Sequence, residues 1–262
     1  MKNEFELKQI VKEKYSQIAV LNDKSSCCGV STIDYSVMSD DYSGKTGYVS
    51  DADLGLGCGS PTDFANIRHG DTVLDLGSGA GNDAFIASKL TGETGKVIGL
   101  DMTTEMIDRA NANKSKVGIS NVEFILGEIE DMPLEENSID VILSNCVLNL
   151  VPNKEKAFSE MYRVLKSGGR FSVSDIVLIG DIPDKIKTAA EMYSGCVSGA
   201  TKYDEYLRII EKTGFNNTRI VKEKLIHLPF DLLKNYLNEE EISSYLKIGT
   251  PIKSITVYAE KR

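Results

Sequence analysis

From residue 70 onward, short apolar runs alternate with amphipathic stretches of helical length, and no other feature constrains the fold so tightly. The strand-like runs are 72–76 (TVLDL), 96–100 (KVIGL), 122–126 (VEFIL), 139–144 (IDVILS) and 170–177 (RFSVSDIV). Helical stretches at 81–90, 104–117 and 154–166 lie between them. Units of this spacing imply right-handed strand–helix–strand crossovers, hence an α/β fold with a parallel, doubly wound, Rossmann-like sheet. A helix at 203–213 precedes two further strands, 217–225 and 254–260, which bracket a helical insertion. A terminal strand must pair with a neighbour, which favours one continuous sheet. Ahead of this pattern, residues 4–20 read as an amphipathic helix. Residues 21–60 are a long irregular stretch rich in Ser, Asp and Gly, of the kind that in a compact protein is usually functional or partly disordered. The chain thus divides into a helix with a cysteine-bearing cap (1–67), a core (68–180) and a C-terminal part (181–262). Within the last, residues 226–252 carry no readable motif.

The first strand runs into "VLDLGSGAGNDAF", residues 73–85, where Gly77, Gly79 and Gly81 permit a tight turn and close approach of backbone to a ligand. Alone, such a turn also suits a nucleotide-binding oxidoreductase. Asp75, just before the glycines, can hold a cationic amino group. Asp101, after the second strand, can accept both hydroxyls of a ribose, although a carboxylate at a strand end also serves as a helix cap. "GEIEDMP" (127–133) follows the third strand, where side chain and backbone can meet an adenine edge. With "YRVLKSGGRFSVSD", these segments make residues 68–178 resemble the class I S-adenosylmethionine (SAM)-dependent methyltransferases. The resemblance implies a seven-stranded sheet, SAM as methyl donor, and a cofactor site lined by Asp75, Gly77, Gly79, Asp101, Met102, Gly127, Glu128, Ile129 and Asn145.

Composition narrows the partners. A formal net charge of −9 over 262 residues argues against nucleic acid or an anionic membrane, which call for a basic face. No apolar run approaches the roughly 18 residues that span a bilayer. The charged start, "MKNEFE", has no apolar signal core, so a cytoplasmic protein is expected. In that compartment the five cysteines stay mostly reduced. Their spacing is one vicinal pair followed by gaps of 30, 88 and 50 residues, with two histidines in the chain, which does not suit a zinc knuckle.

What, then, are the cysteines for? A buried cysteine is ordinarily an inert small hydrophobe. Here "CCG", "GLGCGSP" and "SGCVSGA" flank the sulfur with glycine in turn-like sequence, which makes poor core. Cys146 sits just past the fourth strand, on the side where doubly wound sheets bind ligands. The segments "GLGCG", "SNCVLNLVP" and "YSGCVSGA" resemble those of the arsenite methyltransferases. That resemblance implies that Cys146 and Cys196 hold As(III), supplied as arsenite or its glutathione complex, with Cys58 as third thiol. It implies also that Cys58 and either Cys27 or Cys28 form a disulfide during turnover, which thioredoxin or glutathione reduces. The vicinal pair leaves open which of the two sulfurs takes part. Two other readings stand beside it: a C- or O-methyltransferase of a small metabolite with incidental cysteines, and a non-catalytic thiolate protein that binds arsenic or a metal.

Overall fold

A computed structural model describes residues 4–20, 40–183, 185, 200–228, 230–234, 237–249 and 251–262. Cys27, Cys28 and Cys196 lie outside them. Helix α1 (Glu4–Val20) comes first, and the alternating pattern follows: β1 (Thr72–Leu76), α2 (Asn82–Thr91), β2 (Lys96–Asp101), α3 (Thr104–Val117) and β3 (Val122–Leu126). The second half comprises β4 (Ile139–Asn145), α4 (Lys154–Val164), β5 (Leu165–Leu178), α5 (Tyr203–Thr213) and β6 (Asn216–Leu225). Two short helices, α6 (Phe230–Lys234) and α7 (Glu239–Ile248), precede the last strand, β7 (Ile252–Glu260).

The strands form one seven-stranded sheet in the order β3-β2-β1-β4-β5-β7-β6. The first five strands are parallel, as the alternation requires. Strand β7 runs antiparallel between β5 and β6, so the sheet is mixed. One hydrogen bond shows why. The Ile226 N–H donates to the Ile252 carbonyl at 3.0 Å, so the insertion leaves and re-enters the sheet at one point. A connection that returns to the edge it left can join only antiparallel neighbours. The sequence pattern read strands correctly but carried no signal for that return.

Two apolar layers hold the sheet. Leu74, Leu76, Ile142 and Phe171 pack with Phe158, Met161 and Tyr206 on one face. Val73, Val97 and Val141 pack with Ala84, Phe85 and Phe124 on the other. Strands covered on both faces must be apolar throughout, which is why β1 and β4 read as nearly unbroken hydrophobic runs. Helix α4 starts where it does because Pro152 cannot be helical interior and Asn153 caps the helix, accepting the Lys156 N–H at 3.0 Å. Helix α1 lies on α3: Ile18 and Ala19 pack with Met106, and the Arg109 guanidinium donates to the Ala19 carbonyl at 2.9 Å. Among the described residues no helix is long and apolar enough to cross a membrane.

From β1 the chain winds outward through β2 and β3, then crosses back to β4 on the other side. The strand order reverses between β1 and β4, which opens a crevice at their carboxyl ends.

Candidate active site

The crevice is a cleft of about 1220 Å³ counted out to its mouth. Asp75, Gly77, Gly79, Asp101, Met102, Gly127, Glu128, Ile129 and Asn145 all line it, and so does Cys146. They come from the ends of four strands, because a parallel sheet brings the carboxyl ends of its strands to one edge. Helix α1 closes the far side with Lys8, Val11 and Tyr15.

The end nearest β1 is lined by carboxyl groups. Asp75 is buried, and burial together with the charges of Asp83 and Asp101 raises its pKa. Its Oδ2 has no hydrogen-bond partner among the described residues. A buried carboxylate oxygen left without a donor costs free energy until a cation supplies one. A bound ammonium group would do so. The glycine turn leaves room for it: a Cβ at Gly79 would meet nothing within 4 Å, and its φ of 51° suits glycine. Gly77 has the opposite reason to be glycine. A Cβ there would lie 2.5 Å from Val147. These residues fit the amino-acid end of SAM.

Asp101 is engaged by the protein itself. One oxygen accepts the Gly79 N–H at 3.0 Å and the other the Thr103 N–H at 2.9 Å, so the carboxylate braces the glycine turn. Burial raises its pKa, and those backbone bonds pull the other way. Each oxygen keeps a further lone pair for a ribose hydroxyl. Glu128, 54% exposed, forms an ion pair with Lys8 of α1 at 2.6 Å, and the same ammonium pairs with the buried Glu130.

The other end of the cleft carries sulfur. Cys146 follows β4 with a φ of 61°, and its N–H donates to the Ser174 carbonyl at 2.7 Å. This left-handed residue turns the chain off the strand at the sheet edge. Its sulfur is bonded to Cys58, with the Cα atoms 5.7 Å apart. The disulfide partners expected for Cys58, Cys27 and Cys28, lie outside the described residues, as does the expected arsenic ligand Cys196. Among the described residues no three His, Cys, Asp or Glu side chains cluster as they would around a metal ion.

A clamp fixes the Cys58 loop. The Asn145 side-chain oxygen accepts the Cys58 N–H at 3.0 Å. Its amide nitrogen lies 2.8 Å from the Tyr42 hydroxyl, 3.0 Å from the Gly59 carbonyl and 3.0 Å from Asp83. Tyr42 in turn donates to Gly59 at 2.8 Å. Gly57 is glycine because a Cβ there would sit 2.6 Å from the same amide. Burial pushes Asp83 up to about 6 despite the bonds from Asn145 and Tyr42. Sequence reasoning missed Tyr42 and Asp83. Asp83 lies inside the quoted glycine motif, but an acidic residue in the first turn of a helix is ordinary. Nothing around Tyr42 signals a site.

The methyltransferase-domain family matches residues 67–214, more than half of the chain. The chain belongs to the methyltransferase-domain family. Its sheet order and the glycine cleft are those of the class I, SAM-dependent fold. The chain is 42% identical over 231 residues to an arsenite methyltransferase of Halobacterium salinarum, an alignment covering 82% of this chain and 59% of that protein. To the human arsenite methyltransferase it is 39% identical over 163 residues, 59% of this chain and 44% of the human one. The chain therefore spans roughly half of the length of these curated relatives. Among solved structures it is similar to an arsenic(III) SAM methyltransferase from Chlamydomonas reinhardtii, with a TM-score of 0.66 and 35% identity. That alignment covers 78% of this chain and 67% of the algal one.

Proposed function

We propose that this methyltransferase methylates trivalent arsenic, with SAM as donor and cysteine thiolates as the groups that hold the acceptor. One observation carries the reading: the donor cleft ends on a sulfur, Cys146, that a second cysteine, Cys58, reaches from residues 88 positions away in sequence. The named relatives support it, since the Halobacterium alignment is longer than the methyltransferase domain and so takes in more than the shared donor fold.

SAM supplies, when bound, a methyl group on a sulfonium centre. The chain supplies the surroundings. Asp75 offers its vacant oxygen to the amino group, the glycine turn admits the amino-acid end, and Asp101 is positioned for the ribose. Soft thiolates suit a soft, thiophilic acceptor. Cys146, with Cys58 and Cys196, would hold arsenic in a pyramid of sulfurs and aim its lone pair into the cleft, so that the gain is one of positioning. A methyl gained by the lone pair takes arsenic formally to the pentavalent level. Two cysteine thiols return it by losing two protons and two electrons as they join in a disulfide. Thioredoxin or glutathione then reduces that bond. Cys58 with Cys27 or Cys28 is the proposed redox pair. The Cys58–Cys146 bond is the oxidised counterpart of the acceptor site, and the same reductant would open it before arsenic binds.

The test is direct. Protein, SAM, arsenite and a thiol are incubated, and the arsenic species are separated. Methylated arsenic supports the reading. Its absence in protein that binds SAM and has its cysteines reduced sinks it. The same assay with small carbon and oxygen acceptors examines the small-metabolite alternative.

A further inference from the structure

Described residues of the segment 226–252 make up most of the buried apolar cluster that contains the two cysteines. Cys58 and Cys146, 2% and 4% exposed, pack in one cluster with Ile226, Leu233, Leu237, Ile242, Tyr245 and Ile252. Among the described residues of 226–252 no polar or charged side chain other than the tyrosine is buried. Helix α7 begins at a reciprocal cap, in which Asn238 accepts the Glu241 N–H and Glu241 accepts the Asn238 N–H, both at 2.9 Å. Cys146 also lines the donor cleft. It is therefore a boundary: apolar side chains lie on one side, and the buried carboxyls of Asp75, Asp83 and Glu130 belong to the cleft on the other.

Among the described residues that line the cleft the one ammonium, Lys8, is already paired with Glu128 and Glu130 and so leaves no free cation for an acceptor. An anion would lose its hydration and face carboxylates, whereas a neutral, weakly hydrated group loses little. We infer that Ile226, Leu233, Leu237, Ile242, Tyr245 and Ile252 form the selectivity wall of the acceptor site. It admits small uncharged trivalent arsenicals, prefers those already carrying a methyl group, and keeps anionic substituents out. A glutathione conjugate would then deliver arsenic from outside the wall, each incoming cysteine thiol releasing one glutathione thiol, and its carboxylates would never enter. This inference rests on the proposed function for its substrate class.

The experiment uses Ile242→Thr and Leu237→Asn, which add polarity to the wall and leave every proposed ligand in place. SAM affinity by calorimetry certifies the fold. The value of kcat/KM is measured for arsenite and for monomethylated trivalent arsenic. The expected result is a preference for the methylated acceptor that falls roughly fourfold, the equilibrium worth of one buried methyl group. An unchanged ratio in a variant that binds SAM overturns the wall. If both variants lose SAM binding, reduced wild-type protein decides. A methyl-substituted trivalent arsenical should protect its thiols from alkylation at lower concentration than a carboxymethyl-substituted one, and equal protection overturns the inference. Wild-type protein that shows this preference yet transfers no methyl breaks the proposed function and leaves the wall standing.

Discussion

The two ends of the cleft are built in different ways. The donor end comes from contiguous motifs: Asp75, Gly77 and Gly79 lie within five positions of one another, and Asp101 reaches the same turn from the next strand. The sulfur end is assembled from afar. Cys58 comes from the irregular segment before the core, Cys146 from the edge of β4, and the wall around them from an insertion more than 75 residues further along the chain. The difference teaches where robustness and specificity reside. A turn braced by backbone hydrogen bonds suits a donor that never changes. A sulfur end gathered from loops and insertions can be changed without disturbing that turn, as expected where one fold hosts many functions.

If the two ends are independent, Cys146→Ser should abolish methyl transfer to both inorganic and monomethylated arsenic while SAM affinity stays within error. A hydroxyl is a hard replacement for a soft ligand. Turnover on either substrate, or a parallel loss of SAM binding, breaks the comparison.

The vicinal pair divides the sulfur end further. Replacing Cys27 and Cys28 together by serine should stop methylation of arsenite and spare a monomethylated trivalent substrate, which already carries one carbon and needs only two thiolates. Speciation of products from both substrates checks this. Equal loss on the two ends the proposed separation of ligand and redox sulfurs.

At the donor end, Asp75→Asn should weaken SAM binding by roughly 10- to 100-fold, the worth of a hydrogen bond to a charged partner. The pH dependence has a definite sign. Burial, with the charges of Asp83 and Asp101, raises the Asp75 pKa, and an ammonium partner needs the ionised form. SAM affinity of the wild-type protein should therefore rise with pH as Asp75 loses its proton, and the Asn variant should be flat. Calorimetry across pH measures both. A wild-type profile without slope removes Asp75 as the anchor.

The smallest functional effect is expected away from both ends. Asp175 is a buried residue of β5 that accepts the Tyr206 hydroxyl at 2.8 Å and feels the charge of Lys154, whose own pKa burial lowers. Burial pushes Asp175 up to about 7. The folded state thus keeps a proton that the unfolded chain gives up near pH 4. Stability from this group is complete below that pH and is lost as pH rises through about 7, by at most about 4 kcal/mol. Asp175→Asn should flatten the fall in urea midpoint between pH 5 and pH 8 with little change in SAM affinity. A slope that persists in the variant assigns it to other groups.

The alternation of strands and helices, the glycine turn and the carboxylates at strand ends were all readable in the chain, because each is a local pattern enforced by backbone geometry or by burial on two faces. Elements such as α5 and β3 fall at the residues their periodicity marks. Position alone cannot reveal partners brought together by folding. Tyr42 and Asp83 carry no local sign of the clamp they make with Asn145. Glu128 reads as a cofactor contact in the sequence, and only folding sets Lys8 of α1 against it. The antiparallel insertion of β7 and the packing of Ile226, Leu237 and Ile242 in one cluster with the two cysteines depend on where a connection returns, which no periodicity encodes. By itself the sequence marked the glycine turn and Asp75 as the expected cofactor site, since these residues belong to one local motif. Which sulfurs meet, and what surrounds them, was decided only by tertiary structure, because those contacts join segments whose separation along the chain says nothing of their distance in space.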